Sequence, residues 1–426
     1  MLIDFKTSNS LSFKDIATLS MVATSDKTLD ESNTFKKDGA KFLKSAVIYG
    51  ANGSGKTNFT NAFAQMRALI LGHESLTDFS FKLDKVCQTK PSFFEVVFYY
   101  SANLRYRYGF ESNEDSIVSE WLFSSKSSRE TCLFTRENKE ITLGRSFSEG
   151  KKFKSEVKKA DLFLSLVAHE EGKIASEVRS WFKSVNIRSG LESSHINTLH
   201  KIQKGGEDDK IKVLDILHSF DIQMEDFIIR EREPAQFNFS DDPKLGEEYK
   251  EFAIAMEKFI TSQKFGPTYD VFIVRRAYED GKDIGPIELG LLKDESDGTQ
   301  KLFELAGYIV DVLDKGGVLI IDELESKLHP LVTRELVKIF NSSEKNPLNA
   351  QLIFTTHDTN LLKGGHFRRD QIWFTEKDKY GASHLYSLAE YKEKPRKDAS
   401  LEKDYVKGRF GAIPFIGDFS ELIKKD

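Results

Sequence analysis

Eight residues, Gly50-Ala51-Asn52-Gly53-Ser54-Gly55-Lys56-Thr57, constrain this chain more than any other stretch. They meet the spacing GxxxxGK[ST] at every fixed position. The flanks suit the motif as well. Ser45–Tyr49 (SAVIY) is a short β-branched run that predicts a buried strand. Phe59, Ala62, Phe63, Met66 and Leu69–Ile70 recur at helical spacing over Thr57–Leu71. Glycines let the backbone wrap tightly enough for its N–H groups to point at phosphate oxygens, and the helix start adds partial positive charge. Gly50, Asn52, Gly53, Ser54, Gly55, Lys56 and Thr57 are therefore the expected contacts to a chain of phosphates. Lys56 is expected to reach the β- and γ-phosphates and Thr57 to hold Mg²⁺.

A second motif lies far along the chain. Val318-Leu319-Ile320-Ile321 predicts a buried strand that ends in two acids, Asp322 and Glu323. Paired carboxylates at such a tip are costly unless a cation or ligand compensates them. Asp322 is the expected Mg²⁺ ligand, and Glu323 the base that polarises an attacking water. Thr355-Thr356-His357 follows another strand, Gln351–Phe354, which places His357 just past a strand tip. Ser296-Asp297-Gly298-Thr299-Gln300 precedes a predicted helix, Lys301–Leu313, about 25 residues before Asp322.

The remaining pattern divides the chain. Residues 2–6 alternate as a first strand, and Thr24–Asp38 reads as a loop. Phe93–Tyr100 and Leu104–Phe110 predict a hairpin, with further strands at Ser116–Phe123 and Thr131–Thr135. From about residue 151 the period turns helical, with stripes at Phe153, Val157, Ala160, Leu164, Val167, then Ile174, Val178, Trp181, Val185, then Leu245, Tyr249, Phe252, Met256, Phe259. The expected organisation is an N-terminal half at 1–150 with an antiparallel β subdomain, a mostly helical insertion at 151–265, a C-terminal half at 266–391 and a tail at 392–426. The insertion is split in charge, with 11 basic and 6 acidic residues over 151–204 but 6 basic and 15 acidic over 205–257. Its basic half is a candidate surface for nucleic acid or a protein partner.

Composition narrows the function classes. A formal net charge of −5 means that any basic surface is local. Two cysteines, Cys87 and Cys132, suffice for neither a disulfide framework nor a zinc site and fit a reducing cytosol. No run of about 18 apolar residues and no signal-like h-region occurs, so the expectation is a cytoplasmic protein without a membrane partner.

Together these residues resemble the ABC/SMC-like class of ATPases, and most closely the bacterial defence ATPases of the AbiLi and RloA type, related to the ATPase halves of OLD-family nucleases. The resemblance rests on LIDFKTSNSLSFKD, GANGSGKTN, ESDGTQKLFELA, IIDELESKLHP, FTTHDTNLL, RRDQIWFTEKDKYGASHLYSL and KDYVKGRFGAIPFIG, and spans nearly the whole chain. Ser10 stands where an aromatic is frequent, and Asp-Gly-Thr stands where transporters have Gly-Gly. The resemblance implies an α/β fold, an ABC-type P-loop ATPase head with a mixed central sheet and an antiparallel β subdomain, carrying the helical insertion. It implies a homodimer, or a higher even-numbered homo-oligomer, closed around ATP, in which Ser296 and Gly298 of one copy meet the γ-phosphate held by the other and His357 senses hydrolysis. It also implies anti-phage abortive infection beside a separate effector, a nuclease or toxin, triggered by nucleic acid or a phage protein. An SMC-like repair or recombination ATPase that clamps DNA is the alternative. OLD-type nucleases add a metal-binding Toprim module. Here Glu376 ends a strand but no Asp-x-Asp follows, so no fused nuclease is expected.

Overall fold

The computed structural model describes residues 1–126, 129–191, 195–232, 269–391 and 400–414. The third helical stripe, 245–259, lies outside them. The chain divides into two compact units, Met1–Ser193 with Tyr308–Asp426, and Ser194–Gly307.

In the first unit the chain opens with β1 (Leu2–Ser8) and β2 (Ala17–Ser20). The stretch read as a loop holds a single helical turn, Asp30–Asn33, and the first arm of a hairpin, β3 (Thr34–Lys37) with β4 (Ala40–Leu43). Buried Arg368 organises this stretch. Its guanidinium donates to the carbonyls of Thr24 and Thr28 and to the carboxylates of Asp30 and Asp370. Ion pairing from a distant segment left no periodic trace in residues 24–38.

The phosphate-loop strand β5 (Ser45–Gly50) is buried throughout and feeds the Lys56–Leu71 helix. Then follow β6 (Ser92–Tyr99), β7 (Arg105–Ser112), β8 (Ile117–Ser125), β9 (Thr131–Glu137) and β10 (Glu140–Leu143). With β1 and β2 they form a seven-stranded antiparallel sheet in the order β10-β9-β8-β7-β6-β1-β2. One face of it packs on the Lys56–Leu71 helix, where Phe5 sits 5.4 Å from Phe59 and 4.6 Å from Phe63 between ring centroids.

The first two helical stripes belong to this unit too, and each is shorter than its pattern. The helix of the first stripe starts only at Phe163 and ends at His169, after a 3₁₀ segment at Ser148–Phe153. The start is fixed from outside: buried Glu120 on β8 accepts the N–H groups of Phe163 (2.7 Å) and Leu164 (2.9 Å). A carboxylate supplied by the sheet thus acts as the helix cap. The second stripe is the Lys173–Ser184 helix, whose Trp181 stacks on Phe98 at 3.9 Å. Val185 is not its last turn but the first residue of β11 (Val185–Ser189), which runs parallel to the acid-tipped strand.

The second unit contains the Ile196–Ser219 helix, kinked at Gly206, and a three-stranded antiparallel sheet. Its strands are β12 (Asp226–Glu231), β13 (Tyr269–Glu279) and β14 (Lys282–Gly290), in the order β12-β13-β14. The mostly helical insertion expected over 151–265 therefore differs on two counts. Residues 151–189 pack with the first unit, and the second unit is part sheet, because β12, a DFIIRE segment without clean alternation, pairs with the β13 strand some 40 residues later.

The central sheet of the first unit is completed by β15 (Val318–Asp322), β16 (Gln351–Thr355), β17 (Ile372–Lys377) and β18 (Ser383–Ser387). Its order is β11-β15-β16-β5-β17-β18, parallel except for β18. The class is α/β, with a mixed central sheet and an antiparallel sheet, as the sequence implied. Over its described part the tail packs on the central sheet: Tyr405 and Phe410 stack on Phe374 of β17 at 5.4 and 5.8 Å.

Candidate nucleotide site

The order β15-β16-β5 decides the geometry of the site. The strand that ends in acids is not next to the phosphate-loop strand; β16 lies between them. In open α/β sheets, ligands gather at the carboxyl ends of the strands. Here those ends hold the phosphate loop (β5), Asp322 and Glu323 (β15), and Thr355 to His357 (β16).

The loop is held from both sides. Gly53 and Gly55 adopt positive φ (+74° and +118°). A Cβ on Gly55 would lie 2.4 Å from Ser383 Oγ, so this position needs glycine for conformation and for space alike. The Ser383 hydroxyl donates to the Ser54 carbonyl (2.7 Å), and Ser54 Oγ lies 2.7 Å from Thr375 Oγ1. β17 and β18 thereby fix the curve of the loop. Lys56 is buried and donates to the carbonyls of Gly50 (2.8 Å) and Ala51 (3.2 Å). Burial pulls its pKa down to about 8, against the opposing pull of Asp322, Glu323 and Glu325.

Asp322 is 8 % exposed and gripped at both oxygens. The Thr57 hydroxyl donates to Oδ2 (2.8 Å) and the Thr355 hydroxyl to Oδ1 (2.7 Å). Thr355 Oγ1 also accepts the Glu323 N–H at 2.8 Å. Glu323 itself takes φ +53°, an uncommon conformation for a residue with a side chain. Gly190, just past β11, donates its N–H to the Asp322 carbonyl at 2.6 Å, and a Cβ there would strike Glu323 O at 2.0 Å. The peptide that presents the two acids is thus tied down on both sides. His357 donates its backbone N–H to Glu325 Oε1 at 2.6 Å. Solvent reaches its ring, yet the surrounding protein and then the Lys56 ammonium hold its pKa below the ordinary imidazole value, while Glu325, Glu323 and Asp322 oppose the shift.

A cavity of about 860 Å³ opens beside Gly50–Ser54, walled by His357, Thr375 and the Tyr405–Pro414 segment. The first unit thus brings together Gly50, Asn52, Gly53, Ser54, Gly55, Lys56, Thr57, Asp322, Glu323 and His357. Ser296 and Gly298 lie in the second unit. There the Ser296 hydroxyl accepts the Thr299 N–H (3.2 Å) and caps the Asp297–Lys315 helix. Five contributors escaped sequence reasoning: Thr355, Glu325, Gly190, Thr375 and Ser383. Thr355 had a signal, a hydroxyl at the end of an apolar strand run. Gly190 had none, because its role depends on β11 joining the sheet.

The donor set fits the ligands expected of it. A buried lysine bonded, among the described residues, only to carbonyls, beside a glycine-bent loop at a helix start, suits a chain of phosphates. A hydroxyl and a carboxylate 2.8 Å apart, with a second acid next in sequence, offer the oxygen ligands that Mg²⁺ takes.

A family model described as "AAA domain, putative AbiEii toxin, Type IV TA system" matches residues 45–363. That is about three quarters of the sequence and takes in both motifs. The chain belongs to this family. It carries an ATPase domain, and the family implies ATP as the nucleotide. Among solved structures it is similar to an Smc head bound to the C-terminal winged-helix domain of ScpA, with 13% identity, 94% of this chain and 99% of that one covered, and a TM-score of 0.42. It is similar to the SMC head domain of Thermotoga maritima at 11% identity, with 91% and 98% covered and a TM-score of 0.40. No curated protein matches it. Among the described residues, no helix is long and apolar enough to cross a membrane.

Proposed function

We propose that this chain is an ATP-hydrolysing switch that closes as a homodimer, or a larger even-numbered assembly, around ATP and passes its state to a separate cytoplasmic effector in defence against phage. One observation carries the hydrolytic part: Thr355 ties Asp322 and the Glu323 backbone together at the strand tip, while Thr57 of the phosphate loop holds the other Asp322 oxygen. In the reaction Lys56 balances charge on the β- and γ-phosphates, and Asn52 and the loop N–H groups position them. Thr57 and Asp322 hold Mg²⁺, which supplies Lewis-acid polarisation of the phosphoryl oxygens when bound. Glu323 takes a proton from water as its oxygen adds to the γ-phosphorus. The bond to the bridging oxygen breaks, and ADP leaves with that oxygen's electrons. His357 stands at the neighbouring strand tip to contact the γ-phosphate. Ser296 and Gly298 of a second copy complete the γ-phosphate shell.

Support for the effector reading comes from the motif set and from a family description that names a toxin system. Glu323→Gln is expected to bind ATP, stop turnover and elute as a dimer only with ATP, whereas Lys56→Ala neither binds nor hydrolyses it. An assembly state indifferent to nucleotide defeats the switch. Salt-sensitive stimulation of the ATPase by duplex DNA would favour a DNA clamp instead.

A further inference from the structure

The loops leaving the two catalytic strand tips meet a second time, away from the phosphate loop. After β15 the chain enters the Pro330–Asn341 helix through His329, and after β16 it passes through Asn360, Lys363 and His366. Between these segments lies a cavity of about 380 Å³ lined by His329, Leu331, Arg334, Asn360, Lys363 and His366, among others. Among the described residues, no carboxylate lines it. Two cationic side chains and two imidazoles line one space; His329 accepts the Leu331 N–H at Nδ1 (3.2 Å), which leaves its Nε2 for a ligand.

Their nearby acids leave the positive charge in place. Among the described residues, Arg334 Nε has no hydrogen-bond partner, while its side chain is 39 % exposed; it pairs with Glu335 at 3.8 Å, and Glu335 is engaged by Lys338 at 2.6 Å. A guanidinium carries five N–H donors, and an ion pair at 3.8 Å leaves room for an acceptor to approach them. Lys363 donates to Asn360 Oδ1 and pairs with Glu402, both at 2.9 Å, and at 55 % side-chain exposure it can turn to a ligand. The pKa of His366 lies below the ordinary imidazole value, through burial first and then through Arg334 and Lys338, with Glu335 opposing. Its ring thus stands near the Arg334 and Lys338 charges, with Glu335 acting the other way. Gly364 and Gly365, both at positive φ, bend the loop so that Lys363 and His366 approach from one side while Arg334 approaches from the helix.

We infer that this pocket binds a phosphomonoester, through the Arg334 guanidinium, the Lys363 ammonium and the imidazoles of His329 and His366. A tetrahedral dianion offers enough acceptor oxygens for four separate donors, and a guanidinium matches it in planar two-point contact. A carboxylate offers only two oxygens to the four groups that line the pocket. The phosphomonoester comes either from a small metabolite or from the 5′ end of a nucleic-acid strand. Because the pocket spans the segments that follow Glu323 and His357, its ligand bridges the two loops of the hydrolytic site.

The test follows His366 itself, so that phosphate captured by the phosphate loop does not count. In the full-length protein with labelled histidines, the NMR titration of His366 is recorded alone, with inorganic phosphate, with ribose 5-phosphate, and with a short single strand with or without its 5′-phosphate. An upward move of the His366 pKa with any phosphomonoester is expected, since an anion favours the charged imidazole. A response to ribose 5-phosphate assigns a metabolite, and a response only to the 5′-phosphorylated strand assigns a nucleic-acid end. Arg334→Gln is expected to weaken the binding about tenfold or more while ATP binding persists. His366 unmoved by every probe, moved equally by the unphosphorylated strand, or moved only by raising the protein concentration, as a second copy's acid would do, overturns the inference.

Discussion

Replacing Thr355 by valine keeps the side chain's shape and removes one hydroxyl, and that hydroxyl is the joint between the two acidic residues at the strand tip. Thr355 is fully buried; its Oγ1 donates to Asp322 Oδ1 at 2.7 Å and accepts the Glu323 N–H at 2.8 Å. A hydrogen bond to a charged group contributes about 1.5–3 kcal/mol, and a buried N–H left unpaired costs about 1–3 kcal/mol. Both losses come from one atom and overlap, so Thr355→Val is expected to destabilise the first unit by about 2–4 kcal/mol. Asp322 keeps Thr57 as a partner but loses its fixed rotation, and Glu323 loses the anchor for its positive-φ backbone. Groups that orient a metal ligand from behind typically matter by about 10–100-fold, so turnover should fall by that order. The assays are urea unfolding and steady-state ATP hydrolysis, with Thr355→Ser as the control that restores the hydroxyl. Thr355→Val indistinguishable from wild type in both would refute the reasoning.

The pKa of Lys56, about 8 in the free protein, sets a pH dependence. Below pH 8 the ammonium is present and ready for phosphate. As pH rises through 8 it is lost, so calorimetric affinity for ADP should be flat below about pH 7 and fall by up to about tenfold per unit above 8. The same lowered value means that folding stability rises with pH between about 8 and 10.5, since the unfolded chain then holds the extra proton, and thermal unfolding across that window checks the sign. Gly55→Ala should lose nucleotide binding, because its Cβ lies 2.4 Å from Ser383 Oγ at a φ of +118°; normal ADP binding by that variant would mean the loop is less constrained than its contacts indicate. Glu323→Gln should leave ATP affinity within about threefold of wild type while cutting turnover by about 100-fold or more, measured by filter binding and phosphate release.

Much of the site could be read in advance because its chemistry is local. The phosphate loop needs glycines and a lysine at fixed spacing within eight residues, and the acids need only an apolar strand before them. Thr355, Glu325 and Gly190 were less legible, since each acts across strands that lie far apart in sequence and adjacent in the sheet. The misread elements share this cause. Val185 continued a helical stripe but pairs with Val318, and residues 24–38 looked irregular because Arg368, over 300 residues away, organises them.

The sequence by itself determined a strand-loop-helix phosphate cradle, a separate acid-tipped strand and an α/β class, because hydrophobic period and glycine spacing act over a few residues. Only the tertiary structure decided that β16 would stand between β5 and β15, so that one threonine hydroxyl could reach both acids. Strand order is a sum of many long-range pairings, each a few hydrogen bonds strong, and no single segment carries it.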